Sequence, residues 1–369
     1  MTSVFSENPE NDLWRELLQY TYEANIRRFS EKMGRSVDEK TIDCITGSFL
    51  QAYEYYKSAK NANLQISPLL LYYGSTNLLY GMANLLKGEI VKISNHGMKI
   101  IIPDNMKFIA DTQIRFNSPL EGGVHVIAKV FDFNDDMTGF KDWTLKEFLD
   151  SLAEISNEYQ NCFEVPCGKI AMLDVVNTPD GKVEKIYFDF DNKNDIIQLL
   201  SNVNGFNKSY LSPTESKDCS NITYFVLRHK LNGKDISEIS YSGQPYLRAS
   251  HYKNSKYVTV PTIMNMYISL FVLASLCRYS PEKWSPFVLK DTTGERLLIE
   301  KFLFFARRMI PNIVLNKIVN DNVQYTAKRY EPLDTIKFVG EHQVQEMIKK
   351  EFDHQFQKEV FEKNRSNFY

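Results

Sequence analysis

Ile66–Met98 reads ISPLLLYYGSTNLLYGMANLLKGEIVKISNHGM, and the fold turns on how this stretch is read. Apolar residues fall on nearly every side of a helical projection from Pro68 to Leu86, which predicts a helix buried inside a domain. One small-and-polar stripe runs along it at helical spacing: Tyr73, Asn77, Gly81 and Asn84. Such a stripe suits the lining of a pocket for a polar ligand. It suits equally well a glycine that lets a second helix approach, with asparagines bonded to neighbouring helices, because buried amides need partners.

Upstream, Leu13, Leu17, Tyr20 and Ala24 give one helix from about Asp12 to Lys32, ended by Gly34. Ile42, Ile45, Phe49, Ala52, Tyr53 and Tyr56 give a second, which stops before Pro68. Downstream the period changes. Glu89–Ile93 and Met98–Ile102 read as short strands around Asn95-His96-Gly97. Val124–Phe133, Ile170–Val176, Val183–Phe190 and Ile222–Arg228 also read as strands, with a hairpin turn at Asn177–Gly181. Thr144 and Glu147 form a capping box that opens a helix to Tyr159, and Asn204–Ser220 reads as a polar loop.

After Pro261 the helical period returns in Ile263–Tyr279, in Gly294–Asn320 with an interruption at Pro311, and in the amphipathic tail Gly340–Asn364. The expected fold class is α+β, mostly helical: a helical bundle built from the N- and C-terminal segments, with an inserted β-rich lobe. The expected division is 1–88 for the N-terminal helices, 89–260 for the mixed, mostly β lobe, and 261–369 for C-terminal helices that pack back on the bundle. Ile263–Tyr279 is the expected neighbour of Pro68–Leu86.

The 369 residues carry 44 Lys+Arg against 46 Asp+Glu, a formal net charge of -2, which excludes a surface that is basic throughout. The five cysteines have neither redox nor zinc spacing, so free thiols in a reducing cytosol are expected. The N-terminus lacks a charged start before an apolar core, so no signal peptide is expected. The apolar runs Pro68–Leu86 and Ile263–Cys277 carry asparagines and read as core helices, which places the protein in the cytoplasm without membrane contact.

No catalytic motif, phosphate loop, dinucleotide fingerprint or Gly-x-Ser-x-Gly occurs, no His/Cys cluster suggests a metal, and no cofactor is implied. Candidate ligand-binding residues are Tyr73, Asn77 and Asn84 from the stripe, His96 in the NHGM turn, Arg248 and His251 in the Tyr-rich segment Tyr241–Tyr257, and Arg278 at a helix end. Arginine and histidine interleaved with tyrosine suit stacking on bases with phosphate contacts. Arg278 suits equally a helix C-terminus, where its charge complements the macrodipole.

Four stretches together, QAYEYYKSAKNA (Gln51–Ala62), SPLLLYYGSTNLLYGMANLL (Ser67–Leu86), NHGM (Asn95–Met98) and SLCRYSPEKW (Ser275–Trp284), resemble the YaaC-like family of bacterial proteins. The resemblance implies an intracellular bacterial protein, with some relatives encoded among anti-phage defence genes, and no transferable reaction. The helical part is more distantly similar to the HEPN class of ribonuclease domains, whose chemistry uses an Arg followed a few residues later by His. No histidine follows Arg278 in that way, which counts against that chemistry. Three readings remain: a non-enzymatic or regulatory component that binds a nucleotide, nucleic acid or protein partner; a nuclease or nucleotide-processing enzyme with an unfamiliar site; and a structural subunit that associates with a partner or a second copy through its C-terminal helix.

Overall fold

The computed structural model describes residues 2–326 apart from 136, 139–142, 179–180, 189–192 and 254–255. The chain begins with β1 (Thr2–Phe5), α1 (Pro9–Leu18), α2 (Glu23–Lys32), α3 (Glu39–Asn61) and α4 (Ser67–Lys87). It continues through β2 (Met98–Ile101), β3 (Gln113–Phe116), α5 (Gly122–Val130), β4 (Trp143–Thr144), α6 (Leu145–Leu149) and α7 (Ser156–Phe163). A β-rich portion follows: β5 (Ile170–Met172), β6 (Asp174–Thr178), β7 (Gly181–Tyr187), α8 (Lys193–Ser201), α9 (Phe206–Ser209), β8 (Thr214–Lys217) and β9 (Thr223–Arg228). Then come β10 (Glu238–Ile239), β11 (Pro245–Arg248), β12 (His251–Lys253), β13 (Lys256–Val258), α10 (Thr262–Tyr279), α11 (Pro281–Lys290), α12 (Glu295–Val319) and β14 (Val323–Thr326). The fold is α+β and mostly helical.

α4 is the centre, and its boundaries follow from sequence. Pro68 sits in its first turn, where a missing N–H costs nothing. Gly88 ends it in the left-handed conformation (φ 73°), donating to the Asn84 carbonyl at 2.7 Å. One face lies on α3 so closely that a Cβ on Gly81 would stand 3.0 Å from Phe49 and Ser48, and one on Gly74 would stand 2.8 Å from Tyr56. The other faces meet α10 and α12. α10 is long and apolar enough to cross a membrane, yet 78% of it is buried inside the protein, as a core helix requires. At the α10–α11 corner, the buried Trp284 indole and the Cys277 thiol both donate to the Gln65 carbonyl, which clamps the α3–α4 turn.

The main apolar core runs through α1, α3, α4, α5, α6, α7, α10 and α12. A second, smaller cluster, including Leu173, Ile186, Leu199, Phe206, Tyr210 and Leu227, lies under the antiparallel sheet β6-β7-β9-β8. The remaining sheets are small: β2-β3-β4, β10-β11-β5, the hairpin β12-β13 and the parallel pair β1-β14. Glu295 ties the start of α12 to the turn at Ile109–Asp111, its carboxylate accepting from the Ile109 and Ala110 N–H groups at 2.6 and 2.7 Å. Burial pushes its pKa up to about 7.

Several local expectations are corrected. Val124–Phe133 is helical over Gly122–Val130, because Val124, Ile127 and Ala128 meet the core at helical spacing despite β-type residues. Glu89–Ile93 forms no strand: the Val91 N–H donates to the Asn84 side chain at 2.8 Å, not to a ladder. The first helix breaks at Gln19–Thr21, where Thr21 Oγ1 and Asn25 Nδ2 take backbone carbonyls for themselves. Thr144 and Glu147 do form a capping box, but α6 ends at Leu149 and the helix restarts only at Ser156. Asn204–Ser220 contains α9 and β8, so it is more than a loop. α12 passes through Pro311 unbroken, with Ile310, Pro311 and Val314 all held in the core. The amphipathic tail Gly340–Asn364 lies outside the described residues.

Candidate functional site

Three segments far apart in sequence meet where α4 and α10 cross beneath the NHGM turn. The turn is fixed first. Asn95 Oδ1 accepts from the Gly97 N–H at 2.7 Å, and the Gly123 and Val124 N–H groups of α5 donate to the Asn95 and His96 carbonyls. Gly97 (φ 77°) and Gly122 (φ 67°) make this contact possible: a Cβ on Gly97 would fall 1.9 Å from the Glu121 carbonyl. The Glu121 carboxylate beside the turn is taken by the Asn95 and Asn117 amides.

His96, exposed on this turn, bonds through Nδ1 to the Tyr72 hydroxyl at 2.7 Å. Tyr72 lies 3.3 Å from the hydroxyl of Tyr267 on α10, and its ring meets His96 edge-on. Burial holds the Tyr72 phenol far above its ordinary pKa, so it remains a proton donor. The Tyr72 hydroxyl and Nδ1 share one hydrogen bond whose donor is set by the imidazole tautomer. Nε2 makes no protein hydrogen bond among the described residues. The His96 pKa is lowered, first by burial of the ring and then by the charge of Arg278. Both effects favour the neutral imidazole.

Arg278, exposed at the end of α10, donates to the Tyr73 hydroxyl and lies 4.9 Å over the ring of Tyr279. Tyr73 in turn stacks on Tyr55 of α3. The result is a surface with one guanidinium, one imidazole and several tyrosine rings. Asn77 stands one turn along α4, half-buried and without a hydrogen-bonding partner among the described residues. Donors of this kind can take a phosphate or carboxylate, and the rings can take a planar group.

A family description, YaaC-like Protein, matches residues 9–318. The chain belongs to the YaaC-like family. No curated protein and no solved structure matches it. Family membership brings no reaction with it, so chemistry must come from the side chains.

The other candidate residues lie elsewhere in this family member. Asn84 is fully enclosed, its amide donating to Cys44 Sγ and its carbonyl oxygen accepting from Val91, so it staples the chain behind α4 and offers no surface. Arg248 is turned inward from β11, donating to Glu238 Oε1 at 2.6 Å, the Val260 carbonyl at 2.8 Å and Thr262 Oγ1. His251 is buried edge-on to Trp143, with its pKa pushed down to about 3 by burial. The Tyr-rich segment is thus a set of short strands, and only Tyr252 and Tyr257 keep large exposed rings there among the described residues. His251 Nε2 stands 3.1 Å from Ser151 Oγ, a distance that suits a nucleophile and its base. Both residues are 2% exposed, and no substrate reaches them.

Sequence reasoning missed Tyr72 and Tyr267. Their signal was present: a phenol on an otherwise apolar helix face has to find a hydrogen-bonding partner. It also missed a group in the β-rich portion, Glu184, His229 and Asp235, where an imidazole nitrogen and one oxygen of each carboxylate lie within 4.8 Å of one another.

Proposed function

We propose that the protein is a cytoplasmic, non-catalytic binding protein whose ligand is a nucleotide, held at the surface formed by Tyr73, His96 and Arg278. One observation carries this reading. The Arg278 guanidinium and the His96 imidazole, which offers an Nε2–H in the tautomer this reading uses, share one surface with tyrosine rings. A phosphate accepts from the two donors, and a base stacks on an exposed ring such as Tyr279, which is 68% exposed. A regulatory role, within a defence system or elsewhere, follows from binding without turnover.

The nuclease reading draws on the same pair, since an arginine and a histidine near one phosphate are the parts phosphodiester cleavage needs. It is the weaker of the two, because no histidine follows Arg278 at the spacing that ribonuclease chemistry of this kind uses.

Isothermal titration with ATP, ADP and inorganic phosphate tests the proposal. Saturable binding of a nucleotide, weakened at least about tenfold in Arg278→Met by loss of a charge-assisted contact, is the expected result. Chromatography of the incubated nucleotide should show no product. Wild-type protein that binds none of the three overturns it, as does an Arg278→Met variant that binds them as tightly as the wild type.

A further inference from the structure

The two apolar cores meet along β5. Side chains alternate across a strand, so Ile170 joins the main core while its neighbour Ala171 joins the smaller one. Antiparallel pairing with β11 fixes that register, with Arg248 opposite Ile170 and Leu247 opposite Ala171. Beside β5 a cleft of about 610 Å³ stays open, bounded by α7 and the turn before β5, and by the end of β7 and α8. Its volume falls within the roughly 300–1,000 Å³ of small-molecule sites, which favour places where two packed units adjoin. Met172, Ile186, Phe188 and Leu199 give it apolar contact area, and the exposed Asn157 and Gln160 amides stand at its rim.

Two charged side chains line this cleft, one of each sign. Lys169 is half-buried in the turn before β5, and Asp195 is exposed in the first turn of α8. Neither side chain makes a hydrogen bond or an ion pair among the described residues, with the other or with any third group. A half-buried ammonium beside apolar side chains is stabilised by an opposing charge. Asp150, the buried carboxylate that feels the charge of Lys169, does not supply it as an ion pair. Its oxygens are taken up by the backbone N–H groups of Gly168 and Lys169.

We propose that this cleft binds a zwitterion with an apolar body, a free amino acid of large side chain or a short peptide, with its carboxylate on Lys169 and its ammonium on Asp195. The observation that carries the proposal is a pair of opposite charges, unpaired with each other, set in one apolar cleft. A purely anionic ligand would bring a second negative charge toward Asp195, and a purely cationic one a second positive charge toward Lys169. A zwitterion satisfies both, and a charge-assisted bond at each end fixes its direction in the cleft. The apolar body meanwhile removes the faces of Met172 and Phe188 from water. The site shares no residue with the Tyr73–His96–Arg278 surface, so either reading stands if the other fails.

Isothermal titration of the full chain with L-phenylalanine, phenylalanyl-phenylalanine, hydrocinnamate and phenethylamine tests the proposal. The last two keep the ring and lack the ammonium and the carboxylate respectively. The expected result is saturable one-to-one binding of a zwitterion, with the single-charge analogues at least about tenfold weaker. Tighter binding of phenylalanine than of the dipeptide assigns the site to free amino acids, and the reverse order assigns it to peptides. Lys169→Met and Asp195→Asn should each weaken the preferred zwitterion at least about tenfold. Asp195 is exposed, so its variant keeps the test open if Lys169→Met fails to fold. No binding of either zwitterion, hydrocinnamate or phenethylamine bound as tightly as phenylalanine, or affinity unchanged in Asp195→Asn overturns the proposal.

Discussion

His251 shows most plainly how much a side chain's meaning depends on where the fold puts it. Next to Arg248 in a tyrosine-rich segment it reads as a surface contact for phosphate. In the structure it is enclosed against Trp143, and its pKa is pushed from 6.5 to about 3 by burial. The neutral form is the one that folds. Its contribution to stability is therefore complete above pH 6.5 and is lost as pH falls toward 3, at up to about 1.4 kcal/mol per pH unit. Urea unfolding at about pH 7 and about pH 5 should show a shallower pH dependence in His251→Gln than in the wild type; parallel curves would contradict this. Periodicity could not reveal the burial, because the residues that cover His251 include Trp143 and Ser151, about a hundred positions upstream. Arg248 misleads for the same reason, as its partner Glu238 and the carbonyl of Val260 are supplied by neighbouring strands and loops.

Among the elements, α4 was the most legible. Its apolar surround, the proline at its start and the glycine at its end all act as the sequence predicts. Its stripe divides in two: Tyr73 and Asn77 reach the partly exposed end, while Gly81 and Asn84 belong to the contact with α3. That division yields a paired prediction. Gly81→Ala drives a methyl into Phe49 and Ser48 and should cost about 1–3 kcal/mol. Gly47→Ala, in the middle of α3 with open space around its Cβ, should stabilise by about 0.5–1 kcal/mol. Thermal unfolding of both variants checks the pair, and a stabilised Gly81→Ala would mean the helices are not in this contact. The elements that sequence misjudged were short ones. α5 carries Val124, Val126, Ile127 and Val130, a strand composition, and is helical because its opening glycines seat it on the NHGM turn.

At the scale of the molecule, one continuous core joins helices from both ends of the chain, and the proposed nucleotide site exists only because of that closure. Tyr72, His96 and Tyr267 come from three segments that meet once α10 lies on α4, and Arg278 is carried to the same surface by the last turn of α10. Sequence could name His96, Arg278 and Tyr73 separately. Their proximity is a property of helix packing, which no local pattern encodes. The most direct test of the central claim is the imidazole Cε1–H resonance of His96, followed by NMR during titration with ATP. The account predicts a saturable shift of that resonance with the same midpoint as calorimetric binding, and its loss in Arg278→Met. A nucleotide that binds while the His96 resonance stays unmoved would contradict it.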